Sequence, residues 1–158
     1  GADTWLSAMF MVVGAAAAGF LPWNWNRARI FMGDVGSGFI GFWMAALFIF
    51  GYARGSIPLP TAIILNAVFL VDTAYTLVIR TMAGKNPTHA HKSHAYQKLH
   101  QSGWSHSQVS LGAGLTNILV LFPFAYWARG QEHDEFLLAI PVAVLVFVCF
   151  RVKAGREA

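Results

Sequence analysis

The chain has 158 residues, of which 56% are hydrophobic and only 11% charged, and its mean hydropathy is +0.52. Soluble domains carry about 25% charged residues, so this balance excludes an ordinary water-soluble fold and points to an integral membrane protein. The net charge of +4 and the isoelectric point near 9.6 reflect where the basic residues sit relative to the membrane, not an affinity for nucleic acid.

Five apolar segments follow in chain order: Trp5–Leu21, Val35–Ala53, Ser56–Ile79, Val109–Ala128 and Phe136–Phe150. Four contain no charged residue, and Ser56–Ile79 contains one, Asp72. A spanning helix needs roughly 20 apolar residues, within a range of about 17–25. The first four segments meet this length, whereas Phe136–Phe150 is short and would extend to Val152 or lie at an angle. An open sheet cannot face lipid. The predicted fold class is therefore all-α, an integral membrane helical bundle with about five transmembrane helices. The short connections Arg54–Ile57 and Arg129–Glu135 make neighbouring helices antiparallel. Pro58 and Pro60 stand where the third span begins, a tolerable place for proline, while Pro123 and Pro141 fall inside spans and are expected to kink them. Ser105-His106-Ser107-Gln108 fits a capping box ahead of the fourth span.

Orientation follows from charge. The segments Pro22–Asp34 and Arg80–Gln108, together with the tail after Phe150, hold nine of the eleven Lys and Arg; only Arg54 and Arg129 lie on the opposite side. The positive-inside rule then places those three segments, and the C-terminus, in the cytoplasm. Cys149 is the single cysteine, so no intrachain disulfide forms. The first residue is Gly1 and no basic segment precedes the first apolar run, as expected for a piece of a longer protein.

Polar density gathers on the cytoplasmic side in two clusters. The first holds Asn24, Asn26, Arg27, Arg29, Asp34 and Ser37. Magnesium takes carboxylate oxygen and usually completes its shell with substrate phosphates and water, so Asp34 suffices as a metal ligand if a diphosphate is the partner. Gly33 and Gly36 let the backbone approach closely, and a helix start favours anions. A plainer reading makes Asp34 or Ser37 an N-cap and the arginines topology markers. The second cluster holds His89, His91, His94, His100 and His106 with Lys85, Lys92, Lys98, Tyr96 and Gln97. Histidine and lysine donors suit a phosphate or a nucleotide; a zinc site and a basic surface against anionic lipid headgroups are rival readings. Asp72 lies eight residues before Arg80, about 12 Å along a helix. An ionisable group at that depth is a functional candidate, or else a structural hydrogen-bond partner of Thr73, Thr76 or a neighbouring helix.

The run Asn24-Trp25-Asn26-Arg27-Ala28-Arg29-Ile30-Phe31-Met32-Gly33-Asp34-Val35-Gly36-Ser37 closely resembles a motif of the polyprenyl-phosphate N-acetylhexosamine-1-phosphate transferases, the glycosyltransferase 4 family. The later run Ala90-His91-Lys92-Ser93-His94-Ala95-Tyr96-Gln97-Lys98-Leu99 resembles the histidine loop of its O-antigen branch. The resemblance implies that a polyprenyl (undecaprenyl) phosphate attacks the β-phosphorus of a UDP-N-acetylhexosamine at the cytoplasmic face of the bacterial inner membrane, releasing UMP. It implies Mg2+, with Mn2+ as an alternative, held by Asp34. His94 and His91 would be catalytic contacts to the diphosphate, with Asn26, Arg29, Lys92, Tyr96, Gln97 and Asp72 binding substrate.

Two departures stand out. Tyr96 and Gln97 occupy places where many members of the family have further histidines. The Asp-Asp pair that the family carries in its N-terminal half is absent from this sequence. Residues 1–158 therefore correspond to the C-terminal half of one polytopic transferase domain, expected to be inactive without its N-terminal half. The expected partners are the UDP-sugar, polyprenyl phosphate, membrane lipid and that missing half, with no nucleic acid. A non-catalytic membrane scaffold keeping the same fold is the alternative.

Overall fold

The computed structural model describes residues 2–25, 29–86, 89, 91–129 and 134–156. Asn26, assigned to substrate binding above, lies outside the described residues together with Arg27. Every regular element among the described residues is helical: α1 (Ala2–Asn24), α2 (Gly33–Ala53), α3 (Leu59–Leu65), α4 (Ala67–Met82), α5 (Ala95–Gln101), α6 (His106–Thr116), a π-helical turn (Asn117–Leu121), α7 (Phe122–Ala128) and α8 (Asp134–Arg151). The chain divides into two compact units, Gly1–Leu59 and Pro60–Ala158.

In the first unit α1 and α2 pair antiparallel. Trp5 meets Phe50 with ring centroids 5.4 Å apart, and Phe10 meets Phe48 at 5.2 Å, so the start of one helix faces the end of the other. Gly51 makes the approach close. A Cβ there would stand 2.7 Å from Ile57 Cδ1 and 3.1 Å from Leu6 Cδ2. Val12, Phe39, Phe42 and Ile49 point outward and are exposed. Apolar surface on that scale is what lipid, not water, covers.

The second unit is built on contacts of α8 with α4 and α7. Its core joins Ile64, Ala67, Leu121, Ala125 and Ala128, with Val68, Phe124, Leu138 and Leu145 packed around them. The third apolar segment is not one straight span. It divides into α3 and α4, bent by 79° at Asn66. No proline causes the bend. The Asn66 backbone N–H turns to the Ile63 carbonyl at 3.2 Å, and its side-chain Nδ2 donates to the Ala62 carbonyl at 2.8 Å. The side chain thus satisfies the acceptor that the bend releases.

Three helical stretches, Thr4–Asn24, Gly33–Ala53 and His106–Ala128, are long and apolar enough to cross a membrane, and the bent pair α3–α4 makes a fourth if it crosses as one. The expected fifth span is shorter, its apolar helix running Leu137–Arg151. Pro123 enters the first turn of α7 directly after the π-helical turn, and Pro141 lies inside an α8 that continues through it. The extra residue of a π turn gives the chain room where proline removes a hydrogen bond.

Four helix ends share one geometry. In each, the residue after the last turn has positive φ and donates back three residues, while the next N–H reaches back five. The left-handed residues are Gly55 (Gly55 N to Tyr52 O, Ser56 N to Gly51 O), Gly84 (to Thr81, with Lys85 N to Arg80 O), Gly103 (to His100, with Trp104 N to Leu99 O) and Lys153 (to Phe150, with Ala154 N to Cys149 O). These are Schellman ends. Lys153, at φ +58°, is the non-glycine among them.

Two outcomes follow. Asn66→Ala should destabilise the protein by about 1–3 kcal/mol, since it strips the Ala62 carbonyl of its partner in an apolar setting; thermal unfolding in detergent measures this. Lys153→Gly should stabilise it by about 1 kcal/mol by relieving the left-handed backbone, read as a rise in melting temperature.

Candidate active site

Asp34 sits in the first turn of α2 with its side chain exposed. The plainer reading of Asp34 or Ser37 as the N-cap does not hold, because the cap position is Met32, which makes no side-chain capping bond. Ser37 Oγ instead donates to the Asp34 carbonyl at 3.3 Å. Gly33, at φ +65°, starts the helix from a conformation that suits glycine. The loop before it is folded onto the end of α1. Arg29 N donates to the Trp23 carbonyl at 2.8 Å and Asn24 Nδ2 to the Ile30 carbonyl at 3.1 Å. Arg29 is exposed. Asp34 thus presents a carboxylate at the start of α2, where negative charge is favoured.

The second unit carries the histidine loop, and Asp72 proves to be part of it. Asp72 Oδ1 accepts the Ala95 N–H at 2.7 Å and the Thr76 hydroxyl at 3.2 Å, while Oδ2 lies 3.6 Å from His94 Nδ1. Side-chain exposure is 15% for Asp72 and 24% for His94, so the pair is largely shielded but still open to one side. His94 precedes α5, and its own N–H donates to Gln97 Oε1 at 3.1 Å, half of a capping box. Gln97, assigned to substrate, therefore has its oxygen engaged in holding the helix start.

Three rings line up on this loop. The centroids of His91 and His94 are 4.9 Å apart, and Tyr96 stacks on His94 at 5.8 Å. His91 Nδ1 lies 3.0 Å from Ser93 Oγ, and Ser93 is buried. The Lys92 and Tyr96 side chains are exposed, and the Lys92 carbonyl accepts from Gln101 Nε2 at 2.9 Å. The structure therefore gathers His91, His94, Tyr96, Gln97 and Asp72 in one place, with Lys92 at its edge. His100 and His106 belong elsewhere. Their rings stack at 4.0 Å at the corner between α5 and α6, where His100 Nδ1–H donates to the Trp104 carbonyl at 2.8 Å.

Among the described residues no three His, Cys, Asp or Glu side chains gather to hold a metal ion. A single hard oxygen ligand such as Asp34 fits magnesium, which fills its shell with phosphate oxygens and water.

The chain has relatives among known proteins. Residues 1–52 match the model of glycosyl transferase family 4. Along 93% of its length the chain is 34% identical to the decaprenyl-phosphate N-acetylglucosaminephosphotransferase of Mycolicibacterium smegmatis, covering 40% of that protein. It is 36% identical over 98% of its length to a probable undecaprenyl-phosphate N-acetylglucosaminyl 1-phosphate transferase of Bacillus subtilis, covering 42% of it. A phospho-N-acetylmuramoyl-pentapeptide-transferase of Synechococcus is 30% identical over 79% of the chain. The chain belongs to glycosyl transferase family 4. It spans about two fifths of the length of the first two of these relatives. No solved structure matches it.

Sequence reasoning missed the contact between Asp72 and the loop, which joins residues 23 apart. The one signal it had was an acid alone in an apolar helix, a group that must find a partner somewhere. Asp72→Ala should lower stability by about 2 kcal/mol, because the Ala95 N–H loses a charged acceptor. Asp72→Asn, which keeps an oxygen acceptor, should cost less. Unfolding followed in detergent separates the two.

Proposed function

We propose that the chain forms the histidine-loop part of a membrane transferase that moves a sugar-1-phosphate from a UDP-N-acetylhexosamine to a polyprenyl phosphate. The observation that carries this reading is His94, flanked by the His91 and Tyr96 rings and backed by Asp72, in a chain similar over most of its length to transferases named for polyprenyl phosphates. In this reading a phosphate oxygen of the lipid attacks the β-phosphorus of the UDP-sugar. The bond from that phosphorus to the bridging oxygen breaks and UMP leaves.

Phosphoryl transfer demands little covalent chemistry from a protein and depends on positioning and on stabilising spread negative charge. His91 and His94 supply ring N–H donors at the diphosphate, with the Asp72 carboxylate orienting His94. Exposed Lys92 adds cationic charge beside the histidines, Arg29 is an exposed cation of the first unit, and Tyr96 offers a ring face. Asp34 would hold Mg2+, which neutralises diphosphate charge when bound. The long apolar helices keep these groups beside the lipid substrate, with the active face and the C-terminus on the cytoplasmic side of a bacterial inner membrane. The two carboxylates of the Asp-Asp pair would come from an N-terminal half, so that the 158 residues alone are inactive.

UMP release from UDP-N-acetylglucosamine with undecaprenyl phosphate tests the reading, using the chain alone and together with an N-terminal half from the Bacillus subtilis relative. Turnover is expected only in the combination and with Mg2+. Asp34→Asn should lower kcat by at least a hundredfold, consistent with the several kcal/mol that a metal ion contributes at a transition state, while leaving the protein in the membrane. Wild-type rates in that variant would refute the role of Asp34. Binding of UDP-sugar without turnover in the combination would favour a scaffold.

A further inference from the structure

The histidine loop is held from a second side by a turn that the proposed mechanism does not use. After α8 the chain reverses through Lys153, Ala154 and Gly155. The Gly155 N–H donates to the Ser93 carbonyl at 2.7 Å. Ala154 is 1% exposed and packs with Cys149 and Ala95, and the Arg156 guanidinium lies over the Phe150 ring at 6.0 Å. Backbone groups of three consecutive residues are thus fixed. The Ser93 carbonyl is held by Gly155, the His94 N–H by Gln97 and the Ala95 N–H by Asp72. His94 is the middle residue of that trio. Ser93 also lies 3.0 Å from His91 through its hydroxyl, so the same anchor reaches both histidines.

Gly155 leaves little latitude. Its φ is +76°, and a Cβ there would lie 2.8 Å from Ile79 Cβ, 2.9 Å from Ile79 Cγ2 and 3.2 Å from the Thr76 carbonyl. Any side chain at this position lifts the turn off α4 and pulls the Gly155 N–H away from Ser93. Thr76 is also the residue whose hydroxyl bonds Asp72, so the turn seats against the helix turn that carries the other anchor.

We infer that the turn Val152–Arg156, acting through Gly155, is a positioning element for His94 and His91, and this rests on the transferase reading given above. A loop aims a side chain only as well as its supports hold the backbone, and a displacement of about 1 Å can cost about a hundredfold in rate. Gly155 touches no reacting group. It acts on the ligand through Ser93.

The test is Gly155→Ala in the full-length, active protein. The KM for the UDP-sugar should rise about tenfold, while the KM for polyprenyl phosphate stays within twofold. A purely structural defect lowers the amount of active enzyme and leaves both KM values where they were. Unchanged KM for the UDP-sugar, with wild-type turnover, overturns the inference. Absence of turnover in the unsubstituted protein sinks the transferase reading itself, a result that the variant cannot mimic. If Gly155→Ala does not accumulate in the membrane, hydrogen exchange of the unsubstituted protein decides. Saturating UDP should slow exchange of the segment containing Gly155 about tenfold, and exchange that UDP leaves unchanged overturns the inference.

Discussion

The carboxylate of Asp72 constrains the second unit more than any other group. An ionisable side chain in an apolar helix is costly unless it is paired and hydrogen-bonded. Helix α4 itself offers only the Thr76 hydroxyl. The remaining partners come from the chain 23 residues further on, so the histidine loop must fold back against α4 to supply the Ala95 N–H and the His94 ring. The dependence runs both ways. A helix of seven residues such as α5 cannot persist by local propensity. Its first turn needs acceptors for free N–H groups, and it finds them in Asp72 and Gln97.

Helix ends show the same economy. Three of the four Schellman ends put glycine at the left-handed position, where it costs least. The fourth puts Lys153 there and keeps glycine for position 155, two residues on. The choice follows from space. At Lys153 the demand is conformational only, a strain of about 1–2 kcal/mol for an L-residue. At Gly155 the conformational demand is joined by Ile79 and the Thr76 carbonyl within 3.2 Å of any Cβ. Glycine is kept where no other residue fits.

Much of this was legible in the sequence. Scarce charge and long apolar runs gave the all-helical membrane class. Ser105 and Gln108 form the capping box that their spacing announced, with Gln108 N to Ser105 Oγ at 3.2 Å and Ser105 N to Gln108 Oε1 at 2.8 Å. Pro60 falls in the first turn of α3, as expected. The bend at Asn66 was invisible, because hydropathy runs through it unbroken and the cause is one side-chain amide. The helix ends at Gly55, Gly84 and Gly103 could have been read, since glycine just past an apolar stretch is a stop signal. That Asp72 belongs with His94 could not, because no local pattern encodes a contact between an acid in one helix and a loop beyond the next turn. The same holds for Gly155 and Ser93.

In the proposed reading the two acids Asp34 and Asp72 differ in what their oxygens do. Asp72 has one oxygen shared between an amide and a hydroxyl and the other facing His94. A cation on Oδ2 would have to displace the His94 ring, and one on Oδ1 the Ala95 N–H and the Thr76 hydroxyl. Asp34 stands exposed at a helix start, and Ser37 Oγ donates to its backbone carbonyl. Of the pair it is therefore Asp34 that suits a hard divalent cation, and Asp72 that suits an internal role in orienting an imidazole. One carboxylate cannot by itself cage magnesium, and an imidazole pair cannot neutralise a diphosphate, so each cluster becomes useful only when a phosphorylated ligand supplies the missing oxygens. The sparse polar inventory of each cluster makes chemical sense in the proposed reading, where a phosphorylated substrate supplies the missing ligands.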